Sequence, residues 1–202
     1  EFTVRGALAE DAAKIVLKAL YTARTARVDV LWAANSLAGE VTRWTVACDR
    51  RLHKMIAYLH HTKDWMMSSY VGDKLEDCWL ALFSDASFAG DLRDSKSTSG
   101  CFLCLVGPRT FVPISWFCKK QGAVSHSSSE AEIISLDAGV RMEGLAALQL
   151  WELFLEVFAV GTSNDAKVYK NKQHNWQRTG RPVTDTLLNV DHVQPNMPLS
   201  KG

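Results

Sequence analysis

The chain has 202 residues, of which 47% are hydrophobic and 22% charged, and its formal net charge is +1. That length suits one or two small domains with genuine cores, and the composition is ordinary for a soluble globular protein. A near-neutral charge is no signature of polyanion binding, so any grip on nucleic acid has to come from local patches.

The N-terminal part reads as helical. Residues 7–27 lack glycine and proline after Gly6, and Leu8, Ala12, Ile15 and Ala19 recur at helical spacing. Asp29 is placed to cap a second helix running to about Leu37, before Gly39 breaks it. A third helix is predicted over Val46 to Thr62, with Leu52, Met55, Ile56 and Leu59 inward and Arg50, Arg51 and Lys54 on its other side. Those three basic residues could touch phosphates, but a solvated helix face explains them as well.

From about Cys78 the period changes. Trp79–Phe83, Gly100–Val106 and Phe111–Phe117 read as three strands of an antiparallel meander, with a Ser-, Asp- and Gly-rich loop over residues 86–99. A long helix is predicted from Ser128 to Phe158. Its last part, Gly144 to Val160, is very apolar but carries Gln149, Glu152 and Glu156, so it reads as a buried or partner-facing helix and no membrane span is predicted. Residues 161–202 have no sustained period and read as an irregular linker or insertion.

The five cysteines, an odd number without an N-terminal secretory signal, suit a reducing intracellular compartment, cytoplasmic or nuclear, with an organelle also open. Cys101 and Cys104 have CxxC spacing, but on a strand residues three apart face opposite ways, so they read as small buried side chains. The chain opens on Glu1-Phe2 and is read as a fragment or a processed product.

Several short motifs occur in order. Ser84-Asp85-Ala86-Ser87-Phe88-Ala89-Gly90-Asp91 precedes Ser97-Thr98-Ser99-Gly100, Ile114-Ser115-Trp116, Lys119-Lys120-Gln121 and Ser127-Ser128-Ser129-Glu130-Ala131-Glu132. As an ordered set they resemble the ribonuclease H domain of copia-type retrotransposon polyproteins. Upstream, Tyr21–Asp29 and Arg51–Thr62 resemble the tail of the same polyprotein's reverse transcriptase, although Val28 stands where that family usually has proline. The polymerase's own paired aspartates are absent, so no polymerase activity is expected.

The resemblance implies an α+β fold: an N-terminal helical segment, then a partial ribonuclease H-like fold of three antiparallel strands and a long helix, with an irregular C-terminal tail. The expected domains are residues 1–75, 76–160 and 161–202. It implies hydrolysis of RNA in RNA–DNA hybrids, with Mg²⁺ or Mn²⁺ held by Asp85 and Glu132. Mg²⁺ requires hard oxygen ligands, and a two-ion centre requires three or four converging carboxylates. Ser127 and Glu130 have capping-box spacing, so Glu130 is assigned the cap and Glu132 the metal, with the reverse assignment still open.

The family's third and fourth carboxylates have no match. Asn164-Asp165, Asp185 and Asp191 sit in polar tail sequence, and Asp137 is on the helix five residues beyond Glu132. Arg93, Lys96, Ser97, Thr98, Lys119 and Lys120 are candidate phosphate contacts near strand ends. The missing strands would leave an open sheet edge for another protein chain. The competing reading is a non-catalytic structural subunit packed in a larger assembly.

Overall fold

The computed structural model describes residues 4–90 and 94–158. The expected irregular tail, with Asn164, Asp165, Asp185 and Asp191, lies outside the described residues, as does Arg93. The chain clusters into two compact units, one built on Glu1–Ser68 with Phe117–Lys119 and the other on Ser69–Trp116 with the described part of Lys120–Val193.

The first unit holds α1 (Ala12–Thr25), α2 (Leu31–Ala38) and α3 (Val46–His61). Helix α1 starts five residues later than its apolar spacing suggests. The reason is Asp49 on α3, whose carboxylate accepts the amides of Ala7 at 2.7 Å and Leu8 at 3.3 Å and the Trp44 indole N–H at 2.6 Å. Those bonds hold the entering chain in a turn before α1 begins. A Cβ on Gly6 would sit 2.7 Å from the Thr45 carbonyl oxygen. Gly6→Ala is therefore expected to lower the unfolding free energy by about 1–3 kcal/mol through overpacking. Urea denaturation measures this, and an unchanged midpoint would contradict the close approach.

Ala12, Val16, Ala19 and Ala23 form the buried stripe of α1, and Leu31, Ala34 and Leu37 that of α2. Cys48, Leu52 and Met55 face inward from α3, whereas Ile56 is exposed. Asp29 does not cap α2. It lies in a single 3₁₀ turn (Val28–Val30), and its carboxylate is taken by the Arg27 guanidinium at 2.7 Å. Arg27 also donates to the Thr62 carbonyl at 3.0 Å and to its hydroxyl at 2.6 Å, joining the end of α1 to the end of α3.

The second unit is a three-stranded antiparallel sheet in the order β1 (Trp79–Ser87), β2 (Thr98–Gly107), β3 (Thr110–Lys120), covered by α4 (Ser128–Gly139). Leu82 pairs with Leu103 and Asp85 with Gly100. Strand β1 runs to Ser87, so Asp85 lies inside the β1–β2 ladder rather than in the loop after a strand. Leu80, Leu82, Cys101 and Leu103 are buried on the sheet.

The long helix forms as expected but is not uniform. A π-helical turn, Val140–Gly144, joins α4 to α5 (Leu145–Phe158). Its cause is visible in the packing. A Cβ on Gly139 would lie 3.2 Å from one methyl of Leu82, and a Cβ on Gly144 would lie 3.3 Å from the other. Two glycines five apart share one side of a helix only if the turn between them is widened. The architecture is thus the α+β arrangement implied by the ribonuclease H resemblance.

Candidate functional site

The N-terminal end of α4 is fixed by its sequence. Ser127 is the N-cap, and its hydroxyl accepts the Glu130 amide at 3.1 Å. Glu130 reaches back to the amide of His126 at 2.6 Å, one residue earlier than the expected Ser127 amide. That backbone bond holds the Glu130 carboxyl below its ordinary range, against a smaller upward push from burial, and the His126 ring at 3.3 Å adds to the lowering. Glu130 is thus engaged in capping.

Glu132 is exposed, with no hydrogen-bond or ion-pair partner among the described residues. The buried stripe of α4 is Ala131, Ser135 and Gly139. Viewed down the helix, Glu132 lies about 60° from Ser135 and Glu130 about 140° from it. Glu132 therefore flanks the sheet-facing stripe, and Glu130 points away from it.

Ser135 joins helix to sheet. Its hydroxyl donates to the Asp85 carbonyl at 2.7 Å and lies 3.3 Å from the Gly100 carbonyl. The backbone of Asp85 is thereby held against the helix one turn beyond Glu132. The Asp85 side chain is exposed and, by strand alternation, leaves the sheet on the face opposite Leu80 and Leu82. The structure therefore brings together the Asp85 backbone and the first turns of α4. Asp137, on the same helix, pairs with Arg141.

A divalent cation suits the chemistry of Asp85 and Glu132, both hard oxygen donors. The number of donors is insufficient. No group of three or more His, Cys, Asp or Glu side chains that could hold a metal occurs among the described residues. Two carboxylates leave most of an octahedral Mg²⁺ shell unfilled, so the described residues do not by themselves form the expected centre. All five cysteines are free, and burial pushes the Cys101 and Cys104 thiols up to about 11 and about 12.

The candidate phosphate contacts are dispersed in role. Ser97 is fully buried, and its hydroxyl accepts the Ala89 amide at 3.1 Å, which makes it a tie between the end of β1 and the start of β2 rather than a surface donor. Lys120 is exposed and pairs with Asp94 at 2.7 Å, and Asp94 also accepts the Lys96 amide at 3.1 Å. Thr98 is half-buried at the start of β2, and Lys119 is exposed near the end of β3.

One residue of the site was not singled out for a role by sequence reasoning. The Gln121 side-chain amide donates to the Ser99 hydroxyl at 3.0 Å and to the Ala131 carbonyl at 2.9 Å. Its oxygen accepts the Ser125 hydroxyl at 2.9 Å. The Lys119-Lys120-Gln121 motif was the only available hint, and it carried no sign of burial.

Two plant proteins are similar to this chain. It is 36% identical over 110 residues to the retrovirus-related Pol polyprotein from transposon RE2 of Arabidopsis thaliana, covering 54% of this chain and 7% of that protein. It is 35% identical over 110 residues to the RE1 counterpart from the same plant, with the same two shares. The resemblance to copia-type Pol polyproteins holds over about half of the chain. The matched stretch is a small part of those Pol polyproteins, only 7% of their length. No protein-family profile matches the chain, and no solved structure matches it. No helix among the described residues is long and apolar enough to cross a membrane.

Proposed function

We propose that the chain is a fragment of a retrotransposon reverse transcriptase/ribonuclease H, whose ancestral reaction is metal-dependent hydrolysis of RNA in RNA–DNA hybrids. The observation that carries this reading is the Ser135 bond to the Asp85 carbonyl. It sets the backbone of the strand bearing one candidate carboxylate against the helix bearing the other, with the Asp85 side chain leaving the sheet on its opposite face, while Glu130 is taken up in capping. Asp85 and Glu132 are the ligands this chain contributes toward Mg²⁺ or Mn²⁺, and further carboxylates must come from outside the described residues. Lys96, Thr98, Lys119 and Lys120 supply sequence-independent phosphate contacts. An intracellular setting, cytoplasmic or nuclear, goes with this reading.

The test is cleavage of a labelled RNA–DNA hybrid by residues 1–202 with Mg²⁺ or Mn²⁺. The chain is tested alone and with the remaining strands of such a domain added in trans. The expected result is cutting only in the reconstituted sample, lost in Asp85→Asn and in Glu132→Gln. An inactive reconstituted complex that is correctly folded would overturn the enzymatic reading.

One observation favours the alternative, a non-catalytic subunit of a larger assembly. No residue of α5 is buried, and Leu150, Leu153, Val157 and Phe158 are exposed along it. A chain that stays inactive after reconstitution and is recovered from cells only with another protein would establish that role.

A further inference from the structure

The stripe of α4 that meets the sheet is a poor choice on hydrophobic grounds. Its buried residues are Ala131, Ser135 and Gly139, while Ile133 is 67% exposed. Rolling the helix to bury Ile133 would remove more apolar surface from water. Something other than apolar burial selects the observed rotation.

We propose that Gln121 is a positioning residue that, together with Ser135, fixes the rotation of α4 and so presents Glu132 rather than Glu130 beside the Asp85 strand. This rests on Glu132 being the metal ligand. Gln121 is 6% exposed, and its partners Ser99 and Ser125 are buried with it. A buried primary amide is tolerated only when its donors and acceptor are satisfied. Each of the three bonds reaches a different element: Ser99 on β2, Ala131 on α4, and Ser125 in the connection to α4. Gln121 is itself anchored, its amide donating to the Ser97 carbonyl at 2.8 Å.

The two polar anchors bracket the candidate ligand. Gln121 grips the carbonyl of Ala131, the residue before Glu132, and Ser135 holds the Asp85 carbonyl three residues after it. Rolling the helix to bury Ile133 breaks both at once. Small side chains let the helix come close to the sheet, and directional bonds to Gln121 and to the β1 and β2 backbone fix its azimuth.

The test compares the full chain with Gln121→Met, which keeps length and volume but has no amide. Amide hydrogen exchange at residues 131–135 should accelerate about tenfold, the equivalent of one net hydrogen bond, with the β1–β2 amides unaffected. In parallel, Mn²⁺ alone is titrated while its broadening of the Asp85 and Glu132 signals is followed by NMR. The variant should need several-fold more Mn²⁺ than the parent. Unchanged exchange and an unchanged Mn²⁺ titration would overturn the proposal.

If the parent shows no Mn²⁺ broadening even with the remaining strands of the domain added in trans, the ligand assignment of Glu132 fails on its own, and exchange still decides whether Gln121 fixes α4. Should Gln121→Met unfold, Gln121→Glu replaces it. Its carboxyl restores a donor only when protonated, so protection of residues 131–135, normalised to intrinsic rates, should return on acidification. Protection that does not return would count against the proposal.

Discussion

Arg27→Ala is expected to lower the unfolding free energy of the helical unit by about 2–3 kcal/mol, the scale for removing charge-assisted bonds that are partly shielded from water. The guanidinium side chain is only 13% exposed and serves three groups, the Asp29 carboxylate and the Thr62 hydroxyl and carbonyl. It also lies over the Tyr58 ring, 5.8 Å from its centroid. Replacing it leaves the end of α3 without its tie to α1. Arg27→Lys should recover only part of the loss, since a single ammonium cannot reproduce a forked donor.

The same variant changes the acid response. Burial pushes the Asp29 carboxyl up, but the bonds from Arg27 and Tyr58 outweigh it, and the net position is below the ordinary 3.8. A carboxyl depressed in the folded state contributes stability above its unfolded pKa, and that contribution is lost as pH falls through the lower folded value. The parent should therefore lose stability on acidification below about pH 4, and Arg27→Ala should lose less over the same interval. Denaturation midpoints measured between neutral pH and strong acid would show the difference. Parallel curves would sink the assignment.

Cysteine reactivity gives the second large effect. With thiols raised to about 11 and about 12 by burial, Cys101 and Cys104 should react with a soluble alkylating reagent at least about tenfold more slowly than in the denatured chain. Mass spectrometry of partially labelled protein resolves the two sites. Fast labelling of both in the folded state would contradict their burial. Slow labelling that depended on added zinc would instead revive the CxxC spacing as a metal site.

The parts of the fold that were legible in the sequence rest on local periodicity. Helix α3 is recovered almost to the residue because Leu52 and Met55 lie at helical spacing with basic residues opposite. Ser127 and Glu130 announced the start of α4 because a capping box is a contact across three residues. What was missed is mainly contact between distant segments, together with one local pairing that has no period. The late start of α1 is imposed by Asp49, more than forty residues away. Asp29 looked like a helix cap because its attraction to Arg27, a neighbour two residues back, leaves no periodic trace. Strand β1 runs past Asp85 because β2 continues to pair with it, and a polar Ser-Asp-Ala-Ser run carries no strand signal of its own. Gln121, the most connected side chain of the site, bonds to residues 10 and 22 positions away, and nothing in its immediate sequence foretells that.

The widened turn between Gly139 and Gly144 has a consequence for length variation. Deleting one residue from 140–143 would bring the two glycines to a spacing of four, at which an ordinary α-helix already places both on one side. The groove around Leu82 would then be met by the same two glycines, and α5 would leave the sheet at nearly the same azimuth. The chain carries a spare position in this helix, one that can be dropped without turning everything downstream of it.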